Sequence, residues 1–283
     1  GDHRDLHSFP TRRSSESNRF TFYLMTQGAM KGRFELGGKS YDLMLADRNA
    51  NGRFDDRLDG GGSGGVSAQD LLYVSLPGEE VDFAAGLAFG DWLALDGRLF
   101  RLRVQEAEAK LLLEEAEAAA ALGLPMAVER ILVAAPQGTG HVLAFRPGKT
   151  IPVPAGGYRL KNYLARKPDD GGNLWRIAAM APADAPLVTA GPEAVLPLGE
   201  PFLVGVAGRL IPGQAGLSTG LSLSLQLTGQ GGERVTALDT PTRNAGSVAI
   251  LATPRGPYRP TAPRFAIIGP DGVVVGQGDF KYG

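Results

Sequence analysis

The residues best suited to chemistry in this chain sit in one run, Asp47-Arg-Asn-Ala-Asn-Gly-Arg-Phe-Asp-Asp56. Asp47, Asn49 and Asn51 alternate with other residues, so their side-chain oxygens can converge on one side of a tight loop. A hard cation such as Ca²⁺ takes about six to eight oxygens from carboxylates, amides and main-chain carbonyls, and this spacing offers them. Gly52 stands where such a loop must turn, Arg53 would lend its main-chain carbonyl, and Phe54 would anchor the loop in a core. Asp55 would bind directly or through water, and the last carboxylate would come from Asp59, with Asp56 close by and Asp70 as a later alternative. The predicted metal set is therefore Asp47, Asn49, Asn51, Arg53, Asp55 and Asp59, and the predicted cofactor is Ca²⁺. The competing reading is a surface turn that binds nothing, since Asp, Asn and Gly favour turns for local reasons.

Other runs satisfy short patterns without the context their chemistry needs. Residues 60–65 (GGGSGG) match Gly-x-Gly-x-x-Gly, and residues 61–65 match Gly-x-Ser-x-Gly. Neither lies in a strand-turn-helix setting, so a flexible loop is expected there. Of three His residues, His3 and His7 fall in a polar N-terminal stretch, leaving His141 without a second His to share a metal. We expect His141 in a turn or at a sheet edge. Glu79, Glu80 and Asp82 follow Pro77-Gly78 and are expected in a solvated loop rather than as a glycosidase pair. Trp92, Trp175, Tyr158 and Tyr163 could stack on a sugar, but Trp92 and Trp175 lie in strand patterns where core packing is more common. No catalytic residues are assigned, and a non-enzymatic protein is expected.

The elements that would position these residues read as strands. Leucines 221, 223, 225 and 227 alternate with polar residues, which at period two turns one face to a core and one to water. Phe202, Val204, Val206 and Leu210 share one parity, and Phe265 and Ile267 lead into a Pro270-Asp-Gly272 turn before 273–275. Gly37-Gly38 and Asp96-Gly97 each sit between alternating apolar runs, a strong hairpin signal. Residues 158–164 and 173–179 flank Asp169-Asp-Gly-Gly172, and 129–134 and 141–145 complete the strand set. Residues 105–122 (QEAEAKLLLEEAEAAAAL) are the exception. Their Ala, Glu and Leu favour helix, and Gly123 and Pro125 would stop one. Their position after a hairpin strand favours a further strand, which we prefer.

At 283 residues two domains are expected, and 43% hydrophobic with 21% charged residues is a globular composition. The fold class is read as mainly β, with two antiparallel β-sandwich-like domains: residues 17–180, carrying the metal loop, and residues 185–283, immunoglobulin-like. The 40 Gly and 20 Pro serve as turn punctuation, which suits many short strands. Absence of Cys excludes disulfides, thiolate zinc sites and thiol catalysis. A net charge of −1 offers nothing to nucleic acid or an acidic membrane. No apolar run approaches the roughly 20 residues of a spanning helix.

Two resemblances bear on origin and role. Residues 5–15 (DLHSFPTRRSS) resemble the conceptual translation of a sequencing adapter, so residues 1–16 are expected to be a dispensable or artefactual tail. The run from Asp47 resembles the opening of an EF-hand loop, and departs from it in having Leu58 where the bidentate Glu should stand. With a strand leading in, it is similar to the EF-hand-like loops of dockerins and of exported bacterial β proteins. Together with Pro154-Ala-Gly-Gly-Tyr158 and the terminal Gly278-Asp-Phe-Lys-Tyr-Gly283, the chain resembles uncharacterised envelope or secreted proteins of environmental bacteria. That resemblance implies a secreted or periplasmic, cell-envelope location and a structural or binding role toward a protein or glycan partner. The alternatives are a carbohydrate-binding or carbohydrate-active protein, or an accessory region of a larger enzyme.

Overall fold

Runs of β-branched, leucine and aromatic residues between glycine turns produce a chain whose regular elements, among the described residues, are all strands. The computed structural model describes residues 28–57, 69–79, 86–105, 110–135, 140–169, 174–211, 220–239 and 263–280. The expected tail 1–16, Asp59, the glycine run 60–65, Glu80, Asp82 and the turn residues 170–172 lie outside them. Among the described residues no helix is long and apolar enough to cross a membrane.

A first antiparallel sheet is built in the order β1 (Ala29–Leu36), β2 (Lys39–Ala46), β3 (Leu71–Ser75) and β4 (Leu87–Ala88). The chain then supplies β5 (Trp92–Leu95), β6 (Arg98–Gln105), β7 (Lys110–Ala116), β8 (Ala120–Gly123), β9 (Arg130–Ala134), β10 (His141–Phe145) and β11 (Thr150–Val153). It continues with β12 (Gly157–Pro168), β13 (Leu174–Met180), β14 (Val188–Thr189), β15 (Leu203–Ile211), β16 (Gly220–Thr228) and β17 (Arg234–Asp239). The hairpin β18 (Arg264–Ile268) and β19 (Val274–Asp279) ends it. A large sheet of 11 strands runs β15-β16-β17-β13-β12-β9-β10-β5-β6-β7, with β14 also on β12. Strands β8 and β11 pair separately, as do β18 and β19.

The expected hairpins form. In Gly37-Gly38 (φ +57°, +77°) and Asp96-Gly97 (φ +48°, +74°) both turn residues are left-handed, the form whose twist matches flanking strands. Residues 110–116 and 120–123 are strands, as preferred over helix. Helix propensity differs by less than about 0.7 kcal/mol per ordinary residue, and the ladder with β6, Leu113 opposite Leu102, outweighs it.

The core has two apolar layers sharing one sheet. Leu93, Leu95, Leu132, Leu143 and Phe145 face Leu43, Leu45, Leu72 and Val74 of the first sheet. Their sequence neighbours Ala94, Ile131, Val133, Val142 and Ala144 point the other way, toward Leu122, Ile151, Val153 and Tyr158. Strands β9 and β10 are consequently buried along their whole length. His141 begins β10, between β9 and β5, so it is an interior-strand residue rather than the expected turn or edge histidine.

Beyond residue 185 the strands form where expected, but several apolar faces are open. Leu196 and Leu198 are buried in the layer with Ile131 and Tyr158. By contrast Val204 is 68% exposed and Leu221 50%, and Leu223 is half-buried. The period of the leucines was read correctly, while the strand is open at Leu221 and half-buried at Leu223, Leu225 and Leu227. Glu233 is fully buried, its carboxylate accepting N–H bonds from Gly199 (2.6 Å) and Gly231 (2.9 Å) and the Tyr163 hydroxyl (3.2 Å).

Candidate metal centre

Strand β2 delivers Asp47 directly to the loop. Its N–H donates to the Gly28 carbonyl at 2.9 Å, prolonging the β1–β2 ladder by one residue, and the side chain is 2% exposed. A carboxylate buried this far must be hydrogen-bonded. Asp47 Oδ2 accepts the Gly52 N–H at 2.8 Å, and Oδ1 the Asn51 N–H at 3.3 Å. Two further side chains repeat the device over shorter spans. Asn49 Oδ1 accepts the Asn51 N–H at 3.0 Å, and Asn51 Oδ1 the Arg53 N–H at 2.8 Å. Each is an Asx turn, in which the side-chain oxygen substitutes for a backbone acceptor. The chain closes on itself through left-handed Ala50 (φ +57°) and Gly52 (φ +83°), of which only glycine adopts that conformation without strain.

The amide nitrogens of Asn49 and Asn51 both donate to Asp56 Oδ2, at 2.8 and 2.6 Å. Asp56 is thus the carboxylate at the centre of the loop. Asp55, placed in the expected ligand set, receives the Arg53 guanidinium instead, at 3.2 and 3.3 Å. Phe54 packs against the layer between the two sheets, with Gly28 under its ring. Asp59 lies outside the described residues.

Asp70, fully buried, fastens the loop at both ends. Its Oδ1 accepts the Arg48 N–H at 3.3 Å and its Oδ2 the Asp56 N–H at 2.9 Å. Its own N–H donates to the Asp56 carbonyl at 3.0 Å, and its carbonyl accepts the Phe89 N–H at 2.7 Å. Burial pushes the Asp70 carboxyl up to about 6, against the two N–H bonds that lower it, and the charges of Asp56 and Asp47 add to the rise. Beside the loop, Arg57 pairs with Asp91, donates to the Leu102 carbonyl at 3.3 Å and lies over the Phe89 ring.

The structure has Asp47, Asn49, Asn51 and Arg53 in one loop, with Asp56, named as close by, and Asp70, named as an alternative last carboxylate, both bonded to it. The role of Asp70 at the loop's base was missed; the signal was an isolated Asp immediately before the apolar strand 71–75, where a charge must find partners. Among the described residues no three His, Cys, Asp or Glu side chains stand close enough together to hold a metal without amide or main-chain donors. Ca²⁺ accepts such donors, and each Asn Oδ1 that receives one N–H keeps a second lone pair. The residues present therefore fit a weak, mixed-donor Ca²⁺ loop.

No protein-family model, curated protein or solved structure matches the chain.

Proposed function

We propose that the chain is a non-enzymatic structural or binding module of the bacterial cell envelope or secreted fraction, in which Ca²⁺ stiffens the loop 47–59. The observation that supports it is the run of side-chain oxygens from Asp47, Asn49 and Asn51, each accepting a backbone N–H of the loop, with the Asn49 and Asn51 amide nitrogens turned to Asp56. A cation at the loop's centre would take the place of the two amide N–H groups on Asp56 and link that carboxylate to the oxygens of Asp47, Asn49 and Asn51. The absent bidentate Glu makes the affinity weak, roughly the 10⁻⁴–10⁻³ M of extracellular modules. An exported role follows from the same reading, because extracellular Ca²⁺ is abundant enough to fill a site of that strength.

Thermal unfolding with millimolar Ca²⁺ against chelator is the test, in wild type and Asp47→Ala. Binding to the folded state alone adds about 2.7 kcal/mol at a hundredfold excess over the dissociation constant. Asp47→Ala also removes two N–H acceptors, so its melting temperature falls in chelator as well. The readout is the Ca²⁺-dependent increment, expected in wild type and absent from the variant. Mg²⁺ should give less, since the loop imposes no tight octahedron. No increment in wild type at about 10 mM Ca²⁺, ten times the upper end of that range, rejects the site.

A further inference from the structure

A groove far along the chain from the metal loop has the lining of a ligand site. Trp175 lies directly across from Lys167 in the β12–β13 ladder and is half-buried. Its indole N–H donates to Asp169 Oδ2 at 2.9 Å, which fixes the ring's orientation. Lys167 reaches across to pair with Glu200, both side chains about half exposed. Behind them Ile177, Phe202 and Val235 form an apolar floor continuous with the core, and the open groove has a volume of about 310 Å³.

We propose that this groove binds a neutral saccharide, with Trp175 as the stacking platform. Ligand sites span roughly 300–1,000 Å³ and combine apolar walls with a few placed polar groups. This volume is at the small end, which suits one or two sugar rings. The rim carries Lys167 against Asp169 and Glu200, a net charge of −1 that disfavours an anion. A wholly apolar ligand would strip water from all three charges without replacing it, which is costly. A pyranose has an apolar C–H face for the indole and a hydroxyl edge for the rim. The ammonium is a donor and the carboxylates are acceptors, the two kinds of group that a hydroxyl edge meets. Both carboxylates already serve partners, Asp169 the indole and Glu200 the ammonium, an arrangement that positions groups for recognition rather than for hydrolysis. A tryptophan pinned before binding loses little freedom on binding. The groove shares no residue with the loop 47–59, so this inference stands apart from the Ca²⁺ reading.

The experiment uses the full chain carrying Trp92→Phe, so that fluorescence reports Trp175 alone, with calorimetry on wild type as the second readout. The probes are cellotetraose, chitotetraose, maltotetraose and xylotetraose, each to roughly 10 mM, which covers millimolar dissociation constants. At least one should shift the Trp175 emission saturably and give heat in wild type. Trp175→Ala should weaken that binding by at least tenfold, about 1.4 kcal/mol, with its melting temperature close to wild type. Trp175→Phe should recover part of it, and chelator should leave it unchanged. Absence of a response to all four sugars overturns the proposal. So does a response to the apolar dye anilinonaphthalene sulfonate alone, which would make the groove an apolar docking face. Equal loss in Trp175→Ala and in a distant variant of equal stability would also overturn it.

Discussion

Asp70 does more for the candidate site than any residue in the motif, and it does so from the neighbouring strand. Its two oxygens hold N–H groups at the start and end of the loop. Its folded-state pKa, about 6 against an ordinary 3.8, means the folded chain holds this proton more tightly than the unfolded chain does. The contribution is therefore present in full below about pH 4 and is lost as pH rises through 6, at about 1.4 kcal/mol per pH unit between the two values. Asp70→Asn, which cannot titrate, should remove that component. Urea unfolding at pH 4, 5, 6 and 7 should show wild type losing ground to the variant as pH rises. Parallel curves would mean that Asp70 is already ionised without penalty. The motif residues themselves were legible because alternating Asp and Asn before a Gly can be read from spacing alone. Asp56 and Asp70 were named only beside the motif and as an alternative last carboxylate, because which carboxylate faces a loop's centre depends on where the next strand returns.

At the scale of elements, strands and turns were legible and burial was not. Gly37-Gly38, Asp96-Gly97 and Asp271-Gly272 each demand a left-handed turn, and each stands in a hairpin. Period two also located β16, yet alternation says only that two faces differ, not that either is covered. Strands β9 and β10 show the converse: runs without alternation are buried on both faces, as expected where layers pack on each side of a sheet. Leu143→Ala, at 2% exposure, should destabilise by about 2–5 kcal/mol. Leu223→Ala, in a half-buried strand with open neighbours, should cost under about 1 kcal/mol, because little apolar area leaves water there. Chemical denaturation of both variants measures the contrast. A cost above 2 kcal/mol for Leu223→Ala would show that this face is covered in solution.

For the whole molecule, the question is whether residues on either side of 181–186, where the two expected domains 17–180 and 185–283 meet, unfold together. Two connections cross that segment. Strand β17 pairs with β13, Ile177 opposite Leu238, so the large sheet continues from one side to the other. Leu196 and Leu198 fill the layer that holds Ile131, Tyr158 and Tyr163, and Glu233 ties Tyr163 to Gly199 and Gly231. None of this is visible in local sequence, since ladder partners some sixty residues apart leave no periodic trace. Ala181 to Pro186 is poor in strand formers, which is true of many connections inside one cooperative unit. The physical connections favour cooperation: removing Leu196 opens a cavity beneath strands of the first part, and the cost is felt on both sides. Leu196→Ala should therefore lower stability by about 2–5 kcal/mol. Its effect should fall on the whole transition, with hydrogen exchange in β9 and β12 accelerating alongside that in β17. If β17 amides exchange faster in the variant while β9 and β12 amides keep their wild-type protection, the parts on either side of 181–186 are independent domains, and the shared sheet is a docking contact between them.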